Sequence, residues 1–244
     1  MIYADNAATT KMSKAAIDKM VSLMNETYGN PSSLYVLGQT AKEELEAARE
    51  AVAKVINAAE PREILFTSGG SEADNQAIRS AAVIGKRKGK MHIVSSAFEH
   101  HAVLHTLRAL KKEGFEITLV DVHENGVVDP KEIADAIRED TALVTIMYAN
   151  NEIGTIQHMQ AIAETAKEKG IIFHTDAVQA VGAVSFNVDA MGIDAMSISS
   201  HKIYGPKGVG CLFVKDGTKI QSIIAGGKQE RGVRGGAQNL PAIV

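Results

Sequence analysis

Two residues invite a chemical reading before any others. Lys202 stands in Ser199-Ser200-His201-Lys202, directly after a histidine and two serines, and Asp176 closes the run Ile171-Ile172-Phe173-His174-Thr175-Asp176. A lysine at a strand end beside an anion site can form a Schiff base if its amine is partly deprotonated there. Ser199 and His201 flank it as candidate phosphate holders. A carboxylate within an apolar segment is costly unless a cation or a hydrogen-bond donor pairs with it. A protonated pyridine nitrogen is one such partner, and the charged ring would then accept electrons from a substrate carbanion. A carboxylate capping a neighbouring loop also explains Asp176; Lys202 supplies the context for the chemical reading. Lys207, in Gly205-Pro206-Lys207-Gly208, reads as a solvated turn lysine.

A third cluster, Thr67-Ser68-Gly69-Gly70-Ser71-Glu72-Ala73-Asp74-Asn75, runs from a strand through two glycines into a helix. Such a turn lets backbone N–H groups approach an anion at the positive end of the helix dipole, and Ser71 can add a hydroxyl. A plain strand-to-helix turn with Ser71 as N-cap uses the same letters. The stretch lacks the Gly-Lys-Ser/Thr of a Walker loop and the glycine spacing of a dinucleotide fold. His100 and His101 open a helix, and no thiolate or carboxylate spacing supports a metal there. One imidazole stacked on a cofactor ring is the chemical alternative to simple helix-start polarity.

The elements that must position these clusters are legible from periodicity. Helical spacing covers 15–24, 37–56, 71–84, 102–112, 130–138 and 161–169, and strand-like runs cover 63–67, 91–94, 116–120, 142–147, 171–174, 194–198 and 209–214. Strands alternating with helices predict an α/β fold, a mostly parallel sheet covered on both faces. Ligands in such sheets sit beyond the carboxyl ends of the strands. The clusters at 67–71, 149–152, 175–179 and 199–202 all follow strands, which predicts one shared site.

Bulk properties exclude some function classes. The chain has 244 residues, 45% hydrophobic and 23% charged, with a formal net charge of -3. That balance predicts neither direct nucleic-acid binding nor attraction to an anionic membrane. The run Gly85-Lys86-Arg87-Lys88-Gly89-Lys90 reads as a solvated loop. The opening Met1-Ile2-Tyr3-Ala4-Asp5 carries no basic-then-apolar leader, and no run of roughly 18 apolar residues follows, so a cytoplasmic location is expected. The single cysteine, Cys211, fits a reducing compartment and reads as a buried strand residue.

Eight blocks taken in order resemble a known family. They are Asp5-Asn6-Ala7-Ala8-Thr9-Thr10, Tyr28-Gly29-Asn30-Pro31-Ser32-Ser33, Ser68 to Asn75, Glu99-His100, Asn150-Asn151-Glu152-Ile153-Gly154-Thr155, His174 to Gln179, Ser199 to Gly210, and Gly226-Gly227-Lys228-Gln229-Glu230. Together they resemble the NifS/IscS-type cysteine desulfurases, class V aminotransferase-like enzymes of the fold-type I pyridoxal phosphate group. The resemblance covers essentially the whole chain.

It implies a three-layer α/β/α sandwich and a role for each residue. Lys202 would carry pyridoxal 5'-phosphate as a Schiff base and move protons. Asp176 would pair with the pyridine nitrogen, and His100 would stack on the ring and assist proton transfer. Asn151 and Gln179 would lie near the phenolic oxygen and the substrate. Ser71, Ser199, His201 and the amide of Gly70 would bind the phosphate. The implied reaction takes L-cysteine, gives L-alanine and passes sulfur to an enzyme thiol. The implied setting is a homodimer that feeds an iron–sulfur scaffold or tRNA thiolation.

Two departures qualify that reading. Ala237, in Arg234-Gly235-Gly236-Ala237-Gln238-Asn239, stands where the family carries a threonine that reaches the partner's phosphate, a contact worth about 0.5–1.5 kcal/mol. The family's persulfide cysteine and substrate-carboxylate arginine belong to a C-terminal small domain. Residues 1–244 are therefore expected to be the cofactor-binding large domain, with an N-terminal segment of about 1–30 and little persulfide formation of their own. A selenocysteine lyase, another class V lyase or aminotransferase, and a non-catalytic scaffold subunit are the alternatives.

Overall fold

The computed structural model describes residues 2–244; Met1, which begins the expected N-terminal segment, lies outside them. Seven strands form one sheet: β1 (Ile64–Thr67), β2 (His92–Ser96), β3 (Glu116–Val120), β4 (Thr141–Thr145), β5 (Ile172–Asp176), β6 (Ala195–Ser199) and β7 (Gly210–Val214). Their order is β1-β7-β6-β5-β4-β2-β3. β3, β2, β4, β5 and β6 pair in parallel, and β7 lies antiparallel between β6 and β1. The expectation of a mostly parallel sheet is borne out. The antiparallel exception follows from chain length, because ten residues between β6 and β7 are too few for a covered parallel crossover.

Among the described residues there are seven α-helices: α1 (Lys14–Glu26), α2 (Val36–Ile56), α3 (Gly70–Lys86), α4 (His101–Lys112), α5 (Pro130–Ala136), α6 (Met159–Glu168) and α7 (Leu240–Ile243). Side chains alternate across each strand, so neighbouring residues enter different layers. Ile64, Phe66, Val94, Val144, Phe173 and Phe213 pack with α2, α5 and α6 on one face. On the other face, Ile93 and Leu143 pack against Ile78 of α3 and Leu107 and Leu110 of α4. Leu65 and Leu212 meet Ala73 and Ala77 of α3 on that same face. The result is the expected three-layer sandwich. Among the described residues, no helix is long and apolar enough to cross a membrane.

The layers bring all four polar clusters to one edge. β1 runs parallel to β6, since each is antiparallel to β7. The residues following β1, β2, β4, β5 and β6 therefore all emerge at the carboxyl edge of the sheet.

Candidate active site

A cleft of about 520 Å³ opens at that edge, and all nine residues singled out in the sequence line it: Gly70, Ser71, His100, Asn151, Asp176, Gln179, Ser199, His201 and Lys202. The anion corner forms where β1 meets α3. Gly69 is the N-cap with φ +149°, a conformation that disfavours L side chains, and no side chain caps the helix. The amides of the first turn have no partner within the helix, and Gly70 and Ser71 of that turn line the cleft. Ser71 is not the N-cap of the simpler reading: it lies inside the helix, leaving its hydroxyl free of that duty. Gly210 lets β7 come up behind this turn, since a Cβ there would meet the Ile198 carbonyl at 2.5 Å and Gly69 backbone at 2.8 Å.

Asp176 ends β5 and is buried, with Oδ1 accepting the Val178 amide at 2.9 Å. Burial raises its proton affinity, while that amide and the charge of Lys202 act against the rise. Lys202 follows β6 in a one-turn 3-10 helix. Burial lowers the affinity of its amine for a proton, and the Asp176 and Asp5 carboxylates act against that. The amine is thus shifted in the direction a nucleophilic lysine needs.

His100 is the N-cap of α4, and its Nδ1 accepts the Ala102 amide at 3.1 Å. An accepting nitrogen carries no proton, so the neutral ring holds its proton on Nε2. The preceding residue is anchored below the site. Glu99 accepts from Ser96 Oγ at 2.5 Å and from the Met147 amide at 2.8 Å. Burial pushes the Glu99 carboxyl up to about 8. Cys211 lies buried in β7, as its apolar strand predicted, with burial pushing its thiol up to about 12.

Several lining residues carry no role in the sequence reading: Asp5, Ala7, Asp74, Met147, Glu152 and Val178. The N-terminal segment arrives through long-range bonds. The Thr10 amide donates to the His201 carbonyl at 2.9 Å, and His201 Nδ1 meets Thr9 Oγ1 at 3.1 Å. Gln179 Nε2 donates to the Ala7 carbonyl at 2.8 Å, and Lys202 Nζ donates to the same oxygen. Asp74 had a legible signal, a carboxylate on the buried stripe Ala73, Ala77, Ile78 and Ala81 of α3.

The class-V aminotransferase model matches residues 2–239. The chain belongs to the class-V aminotransferase family. Members of this family are pyridoxal phosphate enzymes, and the resemblance drawn from the sequence is borne out. Curated relatives include the cysteine desulfurase IscS of Clostridium botulinum (strain Hall), 51% identical over 243 residues that span all of this chain and 61% of the relative. The cysteine desulfurase IscS of Methanosarcina thermophila is 49% identical, with 60% of its length matched. This class-V chain thus spans about three fifths of those relatives. Among solved structures, "SspA in complex with cysteine" aligns with a TM-score of 0.96 and 38% identity, over 100% of this chain and 70% of that one. A "NIFS-like protein" aligns with a TM-score of 0.96 and 40% identity, over 99% and 66% of the two chains.

The cleft fits the family's cofactor on its own chemistry. An uncapped helix start with hydroxyls suits a phosphate. A buried carboxylate across the cleft suits a protonated ring nitrogen, and a lysine of lowered proton affinity stands beside them.

Proposed function

We propose that this chain is the pyridoxal phosphate-binding domain of a cysteine desulfurase, which converts L-cysteine to L-alanine and delivers the sulfur to a thiol. The observation that carries the reading is the convergence of Lys202, Asp176 and the uncapped start of α3 on one cleft. The relatives named above, half identical along the whole chain, supply the substrate class.

In this reading Ser71, Ser199, His201 and the amide of Gly70 hold the phosphate. Asp176 holds a proton on the ring nitrogen, and His100 packs against the ring face. Asn151 and Gln179 orient the phenolic oxygen and the incoming amino acid. The cofactor, when bound, supplies an electron sink for a carbanion at the substrate Cα. Lys202 Nζ provides the covalent attachment and, once displaced, takes and returns the Cα proton. His100 Nε2 carries the proton that the departing sulfur exchanges, because Nδ1 is committed to Ala102.

The sulfur acceptor is not Cys211, which is buried within β7. We assign the acceptor thiol to another part of the protein and residues 1–244 to the cofactor-binding domain. Leu34, Tyr35 and Val36 are exposed side by side at the start of α2, and an apolar patch of this kind supports pairing with a second copy. The proposed setting is a cytoplasmic homodimer that passes sulfur to an iron–sulfur scaffold or to tRNA thiolation.

The test is alanine and sulfide formation from L-cysteine with a reductant, compared with selenocysteine as substrate. Alanine formed from L-cysteine in a cofactor-dependent manner supports the reading. A full-length protein that binds the cofactor yet acts only on selenocysteine, or on neither substrate, contradicts it.

A further inference from the structure

The cleft floor holds a second carboxyl that the chemistry above leaves unused. Asp74 projects from α3, is 1% exposed, and lines the same cleft as Asp176. Ligand atoms of Asp74, Asp176 and His100 all lie within 4.8 Å of one another. Asp74 Oδ1 has no hydrogen-bond partner. Its neighbour His174 Nε2 stands 3.8 Å away and is engaged with Ser197 Oγ at 3.0 Å.

The groups around Asp74 decide its charge. Asp176 and His174 face it from β5, Glu99 from the loop after β2 and His100 from the start of α4, while Lys202, beyond β6, lines the same cleft and acts on Asp176. His174 is neutral, because burial lowers its pKa to about 3. The cation that bears on this floor, Lys202, acts on Asp176, which also accepts the Val178 amide. On Asp74 only the Ser197 hydroxyl acts in that direction. Two carboxylates this close, both out of water, do not both ionise. Burial and the Asp176 charge together push the Asp74 carboxyl well above the usual range.

We propose that Asp74 is a positioning residue that stays a neutral acid at neutral pH, leaving Asp176 as the one carboxylate on the cleft floor. The consequence rests on the cofactor reading: a single negative charge faces a single ring-nitrogen proton. A second ionised carboxylate would repel the first within 4.8 Å, with only one ring proton between them.

The test is infrared spectroscopy of protein carrying isotope-labelled aspartate, both loaded with cofactor and freed of it. Labelling aspartate alone separates the signal from the Glu99 carboxyl. The expected result is a protonated aspartate band at pH 7 in the cofactor-free protein, lost in Asp74→Asn and retained in Glu99→Gln. Absence of that band in the wild type overturns the proposal, and this arm needs no variant to fold. A band that survives Asp74→Asn in a folded protein also overturns it. A second readout is the pH dependence of unfolding. Relative to Asp74→Asn, the wild-type folding constant should fall about tenfold per pH unit above about pH 4, through the window where only the folded form keeps the proton. Parallel profiles overturn the proposal. Failure of the protein to take up pyridoxal phosphate, with the band present, instead contradicts the cofactor reading and leaves this one standing.

Discussion

Lys202 Nζ donates to the backbone carbonyl of Ala7, a residue 195 positions earlier in the chain. The Gln179 side chain donates to the same oxygen. The N-terminal segment thus closes one wall of the cleft and holds the proposed attachment lysine near Asp176. Replacing Thr10 with Ala removes the hydroxyl that donates to the His201 carbonyl at 2.9 Å and accepts the Tyr204 amide at 2.7 Å. The expected cost is about 0.5–1.5 kcal/mol of stability, since the Tyr204 amide loses its partner while the His201 carbonyl keeps the Thr10 amide. Urea denaturation measures it, and weaker cofactor retention should accompany it.

Asp176→Ala removes the proposed partner of the ring nitrogen. A charge-assisted hydrogen bond contributes about 1.5–3 kcal/mol, so cofactor affinity should fall by roughly 10- to 150-fold. Fluorescence titration with pyridoxal phosphate checks this. Unchanged affinity would mean that the carboxylate only caps the Val178 turn.

Gly210→Ala tests the phosphate corner without touching a ligand-binding side chain. The added Cβ meets backbone at 2.5 and 2.8 Å, where nothing flexible can yield. Overpacking of this kind costs about 1–3 kcal/mol. Lower thermal stability together with weaker phosphate binding is expected, the latter measurable by isothermal titration.

Arg49 and Glu230 form a pair whose side chains are 3% and 0% exposed, at 2.8 Å. Arg49 also donates to the Ile64 carbonyl, and Glu230 accepts the Phe66 amide at 3.0 Å, so the pair fastens α2 and the 229–232 turn to β1. Arg49→Ala leaves a buried carboxylate uncompensated and should cost about 3–5 kcal/mol by chemical denaturation.

His174 gives a pH signature. Its ring bonds Thr145 Oγ1 at 2.8 Å and Ser197 Oγ at 3.0 Å, and burial lowers its pKa to about 3. The unfolded chain takes up a proton near pH 6.5, while the folded chain refuses it until about 3. This residue therefore contributes stability that is full above about pH 6.5 and lost as pH falls below it, at about 1.4 kcal/mol per pH unit. In His174→Phe the loss between pH 6.5 and 5 should be shallower than in the wild type by that slope, as read from urea midpoints.

Much of this site was legible before any coordinates, because each cluster directly follows a strand and parallel strands deliver their carboxyl ends to one edge. The apolar run at 209–214 was legible as a buried strand, and strand geometry places Leu212 and Phe213 on different faces. The contribution of Ala7 was not legible. A backbone carbonyl has no side-chain signature, and its position depends on Thr9 and Thr10 docking against His201 far along the chain. Ser71 misled the capping alternative, since a serine near a helix start suits an N-cap, yet Gly69 takes that position with an otherwise strained φ. Asp74 was visible as a letter but not as a partner of Asp176, because only the packing of α3 against β5 and β6 brings the two together.

The central claim is that Lys202 is the residue that bonds the cofactor. Incubation with pyridoxal phosphate, borohydride reduction, intact mass and peptide mapping test it directly. The account predicts one reduced adduct per chain, mapped to the peptide containing Lys202, with both adduct and visible absorbance gone in Lys202→Ala. No adduct on the folded protein, or one placed on Lys207 or another lysine, would contradict it.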